Sequence, residues 1–439
     1  MRSVYVLSEQ AVLRPEAQGA LWFMRPSAEL LDLDWEGLQT LQTALSQPHQ
    51  LSLKGRIFVH YLRCRGFLRR VTKTPRANVL NQASQATLKA CLEQAKMAKT
   101  PLRSLSAPEA LHISLTDRCD QRCAGCFFSN PGLQTPNRYL AWADFAQIAE
   151  QAASKRVFQL ALGGGEPLLH PQLVEMVTLA SGLGLVVSLT SNGNALTQDL
   201  ALALKCAGLG QFQISLNGLD AGSPGQNRPN HAKALAAIQT CQQTGLRWGL
   251  NVLVTRQNLP ELDKLLAFAQ LQKAHSVNLL RPKPAQQGGK WLDHSLTNAS
   301  ENRQLQGLLK RWQRRARFLL TTDSSFAFLR KGSLKQWQAA GVIGCSAGRQ
   351  ILSVGVDGRV SPCSHVPLFD RCEDGDFMSI WQNSGHLLHF RQLEDTLQGE
   401  CQSCELKAVC RGCRAIVLKQ SGNFHGADTG CPKHQPISS

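Results

Sequence analysis

Hydrophobic and polar positions follow two different periods along this chain. From residue 111 onward, six short apolar runs predict buried strands, at 111–116, 157–162, 185–190, 211–216, 249–254 and 276–281. The intervening stretches have apolar residues at helical spacing, at 141–154, 171–182, 197–207, 230–243 and 260–273. Six successive strand–helix units predict a parallel α/β sheet, either open or closed into a partial (β/α)6 barrel. In such folds the chemistry lies at the carboxyl ends of the strands.

The pattern differs on either side of this region. Alternating runs at 4–7, 11–14 and 19–24 predict strands, and helical spacing follows at 36–45 and 56–63. Strands followed by helices favour a small winged-helix-like α+β domain over 1–80. We predict a linker helix over 81–108, the barrel over 109–285, a bridging segment with a basic helix at 301–318 over 286–344, and a cysteine-rich module over 345–439.

The chain length and the search for targeting or membrane segments add little to this picture. A chain of 439 residues exceeds what one hydrophobic core supports, so several domains are expected. The first residues lack the layout of a secretory signal, and no apolar run reaches the roughly 18 residues of a membrane span. We therefore expect a soluble, cytoplasmic protein without a membrane partner.

The 15 cysteines are the most informative feature of the composition. In a cytoplasmic chain, clustered cysteines indicate metal or cluster binding rather than disulfides. Eight of them fall within 345–431, which predicts a module stabilised by metal. Four isolated cysteines are predicted to be small buried hydrophobes: Cys64, Cys91, Cys206 and Cys241.

The formal net charge of +17 raises the question of a nucleic-acid partner. Much of the positive charge lies in two stretches, 54–76 and 310–317. Such patches attract any polyanion, including an acidic peptide. Since no nucleic-acid motif with interleaved aromatic residues accompanies them, a nucleic-acid-binding protein with structural clusters is an alternative that rests on charge alone.

The first chemical motif follows the first predicted strand of the barrel. The segment TDRCDQRCAGC places Cys119, Cys123 and Cys126 at C-x3-C-x2-C spacing. Three thiolates can bind three irons of a 4Fe–4S cluster and leave the fourth iron open, whereas zinc calls for a fourth ligand. The motif resembles the signature of radical S-adenosylmethionine (SAM) enzymes. That resemblance implies that the open iron binds SAM, which is cleaved reductively to methionine and a 5′-deoxyadenosyl radical.

The next strand ends in LGGGEP, with Gly164, Gly165 and Glu166. This sequence is similar to the GGE motif of the same family. The resemblance implies that the glycines let the backbone approach the methionine amine of SAM, while the acid offsets its charge.

Three further SAM contacts are implied by position in the family pattern. Asn192 lies in TSNG at the end of the third strand, Ser215 in SLNG at the end of the fourth, and Arg228 in the loop that follows. Arg228 is a candidate partner for the SAM carboxylate. Considered alone, each of these three residues is as typical of an ordinary turn as of a SAM-binding site.

The chain departs from the family pattern at two positions. The family usually has an aromatic residue before the last cluster cysteine, close to adenine, where this chain has Gly125. Phe127 or Phe128 is the expected substitute. Asn217 stands where the family commonly has an acid after the fourth strand.

The C-terminal cysteines resemble the SPASM extension, which holds two auxiliary 4Fe–4S clusters in many radical SAM enzymes that modify peptides. By this resemblance an inner cluster is bound by Cys345, Cys363 and Cys413, and an outer cluster by Cys401, Cys404, Cys410 and Cys431. The inner cluster then has either an open iron or Cys372 as its fourth ligand. Of these two we favour Cys372, because it is the only other cysteine in the module, and His365 is a weaker alternative ligand.

Residues 1–80 resemble the leader-peptide recognition domain known as the small chaperone of pyrroloquinoline-quinone synthesis. Such a domain binds an extended leader as an added edge strand. The resemblances together predict a radical SAM enzyme with three 4Fe–4S clusters that modifies a ribosomally made precursor peptide, by a thioether or carbon–carbon crosslink. The implied partners are a precursor with a leader and an electron donor such as flavodoxin or ferredoxin. An alternative is a tetrapyrrole or other small-cofactor synthase, which the segment CRGCRA also resembles.

Overall fold

The computed structural model describes residues 3–98, 103–128, 138–220, 222–223, 231–284, 291–339, 343–372 and 375–433. The chain forms two compact units. One contains Met1–Ala107 and Ala152–Phe158, and the other contains Pro108–Gln151 and Gln159–Ser439. No helix within the described ranges is long and apolar enough to cross a membrane.

The N-terminal unit combines five strands with three helices. Its strands are β1 (Ser3–Leu7), β2 (Ala11–Glu16), β3 (Gly19–Met24), β4 (Glu29–Asp34) and β5 (Leu68–Thr72). Its helices are α1 (Trp35–Ser46), α2 (Leu53–Cys64) and α3 (Pro75–Met97). An antiparallel sheet has the order β2-β3-β4, and β1 pairs with β5 in a separate antiparallel ladder. The predicted α+β organisation is therefore present.

The third helix of this unit differs from its predicted role as a linker over 81–108. It begins at Pro75, where the Thr74 hydroxyl accepts a hydrogen bond from the Ala77 amide at 3.1 Å. Pro at the first helical position and Thr at the cap are strong signals for a helix start. Leu88 and Cys91 of α3 are buried in the core of the unit. The unit therefore continues beyond residue 80.

The second unit is built on a ten-stranded sheet. Its strands are β6 (Ala110–Thr116), β7 (Gln159–Gly164), β8 (Val186–Ser191), β9 (Gln211–Ser215), β10 (Trp248–Leu253), β11 (Ser276–Leu280), β12 (Leu319–Thr322), β13 (Ile351–Val354), β14 (Arg359–Ser361) and β15 (Asp370–Arg371). The order is β12-β11-β10-β9-β8-β7-β6-β13-β14-β15. Every pair from β12 to β13 is parallel, whereas β14 and β15 are antiparallel additions. All six predicted strands are confirmed as β6 to β11, the partial barrel.

Helices cover this sheet and continue into the C-terminal module. They are α4 (Trp142–Ser154), α5 (Leu173–Gly182), α6 (Gln198–Cys206), α7 (His231–Thr244), α8 (Leu262–Leu271), α9 (Trp291–Ser295), α10 (Ala299–Arg315), α11 (Leu334–Ala339), α12 (Phe377–Asn383), α13 (Gly385–Gln392) and α14 (Arg414–Ser421). The predicted basic helix is α10, which starts with a capping box between Asn298 and Glu301.

The four isolated cysteines divide into two pairs. Cys91 and Cys241 are buried, as predicted. Cys64 and Cys206 are exposed, so the prediction of burial was wrong for them. Each is the last residue of its helix, where the side chain no longer faces the core.

Candidate functional site

The loop that carries Cys119, Cys123 and Cys126 leaves the carboxyl end of β6, and we call it the SAM-cluster loop. Its start is fixed by the Thr116 hydroxyl, which accepts a hydrogen bond from the Arg118 amide at 3.0 Å. Cys119 is exposed, and Cys123 and Cys126 are half-buried. Three sulfurs thus lie on one short loop that is accessible to solvent at Cys119, as a cluster with an exchangeable ligand requires.

Gly164 and Gly165 lie directly against the SAM-cluster loop. The Gly165 amide donates to the Thr116 carbonyl oxygen at 2.7 Å. A Cβ added to Gly164 would lie 2.4 Å from the Thr116 oxygen, and one added to Gly165 would lie 2.1 Å from the Arg118 oxygen. Only glycine allows this approach. These two residues therefore join β7 to the cysteine loop, besides their predicted contact with SAM.

Glu166 is the buried acid of the site, with 1% of its surface exposed. Its carboxylate accepts hydrogen bonds from the Ser191 hydroxyl at 2.7 Å, the Asn192 amide at 2.8 Å and the Leu168 amide at 3.1 Å. Burial nevertheless raises the pKa of Glu166 to about 7. A nearby cation would favour the ionised form, as expected of a residue that meets a ligand ammonium.

Asp120 links the end of β8 to the SAM-cluster loop. Its carboxylate accepts from the Asn192 side chain at 2.7 Å and from the Asn194 side chain at 3.1 Å. The predicted SAM contact Asn192 is thus held beside Cys119. Sequence reasoning missed Asp120 and Ser191, although Asp120 lies inside the cysteine motif itself.

The remaining predicted SAM contacts have different outcomes. Ser215 is buried at the carboxyl end of β9, on the expected edge of the sheet. Asn217, which stands where the family commonly has an acid, links the end of β9 to β10, because its side-chain oxygen accepts from the Leu253 amide at 2.8 Å. Arg228 lies outside the described residues. Its role, like the SAM contacts of Asn192 and Ser215, stays a prediction.

The three cysteines of the predicted inner set come together in the C-terminal module. Cys413 is buried in an apolar core, and Cys345 and Cys363 pack against the same core. The Cys345 amide donates to the carbonyl oxygen of Cys410 at 3.0 Å, so the inner set is tied by backbone to the outer set.

Cys372, the predicted fourth inner ligand, lies on the β14–β15 hairpin. Its amide donates to the Gly358 carbonyl oxygen at 2.8 Å, just before β14 begins. Cys363 lies two residues beyond the other end of β14. The hairpin thus separates these two cysteines along its length, and ligation by Cys372 stays a prediction.

The four cysteines of the predicted outer set line a single cavity. Its empty volume is about 410 Å3, including the part open to solvent. Cys401, Cys404, Cys410 and Cys431 line it together with Asp428 and other residues. Four thiols around one space form a donor set that fits a cubane cluster.

A buried ion pair connects the barrel to both auxiliary cysteine sets. Arg281, directly after β11, and Asp428 are 0% and 1% exposed at their side chains, and they form two hydrogen bonds of 2.7 Å. One Asp428 oxygen also accepts from the Cys413 amide at 2.8 Å. Asp428 therefore contacts a predicted inner ligand, Cys413, while it lines the cavity of the predicted outer set. Sequence reasoning missed this pair, although Asp428 lies only three residues before Cys431.

A single zinc ion and a 4Fe–4S cluster require different arrangements of their ligands. In the parts of the chain that the structure describes, no group of three or more His, Cys, Asp or Glu side chains converges on one ion position. Tetrahedral zinc, with zinc–sulfur bonds of about 2.3 Å, needs such convergence. A 4Fe–4S cluster spreads its ligands over four irons. Burial raises the pKa of Cys363 and Cys410 to about 12, so bound iron would have to stabilise their thiolates.

Comparison with protein families agrees with this geometry. Residues 113–269 match the model of the Radical SAM superfamily, and residues 345–405 match SPASM, an iron–sulfur cluster-binding domain. The two matches contain the SAM-cluster loop and all the inner and outer cysteines except Cys410, Cys413 and Cys431.

Among similar proteins, two have names that indicate different substrates. The mycofactocin maturase MftC of Mycolicibacterium smegmatis is 29% identical over 75% of this chain and 84% of its own length. The AdoMet-dependent heme synthase of Methanosarcina barkeri is 26% identical over 74% of this chain and 97% of its own length.

A solved structure is similar over almost the whole chain. Streptococcus suis SuiB, bound to its precursor peptide SuiA, superposes with a TM-score of 0.68 at 16% identity. The alignment covers 98% of this chain and 100% of SuiB. At this identity the likeness shows a shared fold, which includes most of the N-terminal unit.

Proposed function

Because the chain is a radical SAM protein with a SPASM extension that uses 4Fe–4S clusters and SAM, we propose that it modifies a ribosomally synthesised precursor peptide. The change would be a thioether or carbon–carbon crosslink, or related chemistry that starts with hydrogen abstraction. The observation that carries this proposal is the N-terminal unit, in which an open strand edge borders an exposed apolar stripe. The similarity to MftC and the fold shared with SuiB support it.

The open edge belongs to β4, whose one neighbour within the described sheet is β3. Helix α2 lies beside it, since Glu29 at the start of β4 pairs with Arg65 at 3.2 Å and accepts from the Tyr61 hydroxyl at 3.4 Å. An extended peptide can add to such an edge through ladder hydrogen bonds while its side chains enter apolar pockets.

The exposed face of α2 supplies the apolar contact. Leu53, Ile57 and Tyr61 follow one another at spacings of four residues and are 76%, 64% and 40% exposed. Large apolar side chains in one exposed stripe mark an interaction surface. Exposed basic residues accompany the stripe on α2, directly after it and on β5: Lys54, Arg56, Arg63, Arg65, Arg69 and Arg70. We infer that this surface captures an extended, acidic leader, and that the leader-binding domain comprises 1–107 rather than 1–80.

In the barrel, the residues of the site would bind and orient the reactants. Cys119, Cys123 and Cys126 would hold the cluster, and Glu166 would hold the SAM ammonium. When bound, this cluster and SAM supply the 5′-deoxyadenosyl radical, with one electron from a donor such as flavodoxin or ferredoxin. The inner and outer cysteines would hold the two auxiliary clusters near the substrate.

The inner face of the sheet offers hydrogen-bonding groups suited to a peptide. The Asn278 amide donates to the Asn251 side-chain oxygen at 3.0 Å, and Asn251 donates to the Thr190 hydroxyl at 3.2 Å. The fully buried Val277 and Leu279 alternate with Asn278 and face the opposite side. We infer that these amides and hydroxyls bind main-chain groups of the peptide segment that reacts.

The leader surface can be tested by introducing a negative charge at its centre. Ile57→Glu places a carboxylate in the apolar stripe, so binding of the precursor should weaken at least tenfold while SAM cleavage without peptide stays unchanged. The matched control is Val79→Glu, because Val79 is also 64% exposed but lies on α3. Fluorescence anisotropy of a labelled precursor measures the binding. Equal affinity in the parent and Ile57→Glu would contradict the leader surface.

The heme synthase similarity supports a second candidate, a role in tetrapyrrole or other small-cofactor synthesis. The heme synthase match covers 74% of this chain and the MftC match 75%, so the two sequence matches do not differ in coverage, whereas the SuiB fold covers 98%. Peptide modification, unlike small-cofactor synthesis, gives the N-terminal unit a role, and we therefore favour it. Turnover of a porphyrin precursor by the reconstituted protein, with no change in a co-expressed peptide, would reverse this preference.

A further inference from the structure

An aromatic ring from a distant segment lies against the SAM-cluster loop. Gly125, between Cys123 and Cys126, has a φ of +71°. The indole of Trp291, the first residue of α9, lies over its backbone. A Cβ added to Gly125 would lie 2.1 Å from indole Cδ2 and Cε2 and 2.4 Å from Cζ2. Glycine is therefore required at this position by the indole as well as by the left-handed backbone.

The same ring also belongs to the surroundings of the inner cysteine set. Trp291 is half-buried and packs against the apolar core that contains Cys413. Cys345 and Cys363 pack against that core as well. The indole thus contacts the SAM-cluster loop and the auxiliary module while part of its surface stays open.

The aromatic residues of the loop itself point to other partners. The Phe127 ring lies 4.3 Å from the His365 ring, centroid to centroid, in an edge-to-face arrangement. Its other aromatic neighbour is Phe128, at 6.2 Å. Phe127 therefore packs against His365, close to the inner set, whereas the indole of Trp291 covers the segment between Cys123 and Cys126.

We propose that Trp291 is a SAM-binding residue whose indole stacks against the purine of SAM. The inference rests on the SAM-dependent part of the proposed function. A molecule held at the open iron of the Cys119–Cys123–Cys126 set must extend past this loop, and its purine needs a flat, apolar partner. Indole is the side chain with the largest such face, and stacking of a base on an aromatic ring is favourable. Gly125 leaves the space that this ring takes.

The test uses the anaerobically reconstituted full-length enzyme and two substitutions. Trp291→Leu keeps apolar volume but removes the aromatic face, so we expect SAM to bind about tenfold more weakly. Trp291→Phe keeps a smaller aromatic face, so affinity should stay within about threefold of the parent. Iron content should be unchanged in both. Equilibrium dialysis with labelled SAM gives the affinity, and Trp35→Leu in the N-terminal unit is the matched control.

A second measurement tests the contact itself. Gly125→Ala displaces the indole, so it should weaken SAM binding in the parent and add less loss in the Trp291→Leu background, because residues in contact are not additive. Unchanged affinity in Trp291→Leu with full iron content would overturn the proposal. Loss of iron in both Trp291 variants would overturn it too, by showing that the ring only supports the loop. Failure of the parent to bind SAM would instead contradict the proposed function.

Discussion

The SAM-cluster loop and the auxiliary module hold their cysteines by different means. The loop is held mainly by backbone contacts, such as the Gly165 amide on the Thr116 oxygen, and its Cys119 is exposed. In the module, Cys413 and Cys431 are buried, and Arg281 and Asp428 form an ion pair with almost no exposure. The loop must admit and release SAM in every cycle, whereas the auxiliary sites have no such need.

The auxiliary module also buries arginines where a larger domain would have apolar side chains. Arg391, Arg411 and Arg414 are at most 1% exposed. They donate to backbone oxygens, for example Arg391 to Gly348 at 2.7 Å. Burial lowers the pKa of Arg391 and Arg411 to about 10, which shows the cost of keeping these charges there. Thiolate-ligated clusters are anionic and would offset that cost, so we expect cluster binding and folding of the module to be coupled.

The largest effect is expected from breaking the buried ion pair. Asp428→Ala leaves Arg281 without its carboxylate, at a cost of about 3–5 kcal/mol, and removes the acceptor for the Cys413 amide. Iron content of the reconstituted protein should fall from about three clusters to about one. Asp376→Ala, which removes an exposed helix cap in the same module, is the control and should keep all clusters. Full iron content in Asp428→Ala would show that the pair does not support the auxiliary sites.

A smaller effect, confined to SAM, is expected at the barrel. Glu166→Gln removes the negative charge beside the predicted ammonium site, so SAM affinity should fall by about 1.5–3 kcal/mol, or roughly 10- to 150-fold. Iron content should not change. The exposed Glu175→Gln is the matched control. If Glu166→Gln binds SAM as the parent does, the GGE segment acts only as a turn.

The pKa of Glu166, raised by burial to about 7, predicts a pH dependence. Only the ionised carboxylate offsets the ammonium, so SAM affinity should fall by up to about tenfold per pH unit below 7. The raised pKa also means that this group stabilises the fold below its unfolded pKa, near 4.5, and that this contribution is lost as pH rises through about 7. Affinities at pH 6 and 8 in the parent and Glu166→Gln test this. Parallel pH profiles would contradict it, because the titration of SAM itself is common to both.

The smallest effect is expected at Cys372. As a fourth inner ligand, its replacement by Ala should change the EPR signal of one auxiliary cluster and leave SAM affinity at the barrel unchanged. Cys206→Ala, at an exposed cysteine outside all three sets, provides the baseline. A spectrum identical to that of the parent would contradict ligation by Cys372, and the inner cluster would then have only three cysteine ligands from the protein.

Local signals predicted most of the barrel and the cysteine sets. Strands β6 to β11 are apolar runs bounded by turns. The resemblance to the SPASM extension, rather than spacing alone, grouped Cys401, Cys404 and Cys410 with Cys431. The start of α3 has a local signal in Thr74 and Pro75 that the prediction overlooked. The end of the N-terminal unit has none, because tertiary packing of Leu88 and Cys91 rather than composition decides it. Contacts between residues far apart in the sequence could not be predicted from local sequence patterns. Asp428 is 147 residues from Arg281 in the sequence. Trp291 contacts Gly125, although most of the barrel lies between them in the sequence.

Mass spectrometry of a precursor tests the central claim most directly. A small leader-bearing peptide encoded beside this gene would be co-expressed with the parent enzyme and, separately, with a Cys126→Ala variant. A crosslink removes two hydrogens from the peptide, so the account predicts that loss with the parent and an unmodified peptide with Cys126→Ala. An unmodified peptide with the parent, while the same preparation contains its clusters and cleaves SAM, would contradict peptide modification.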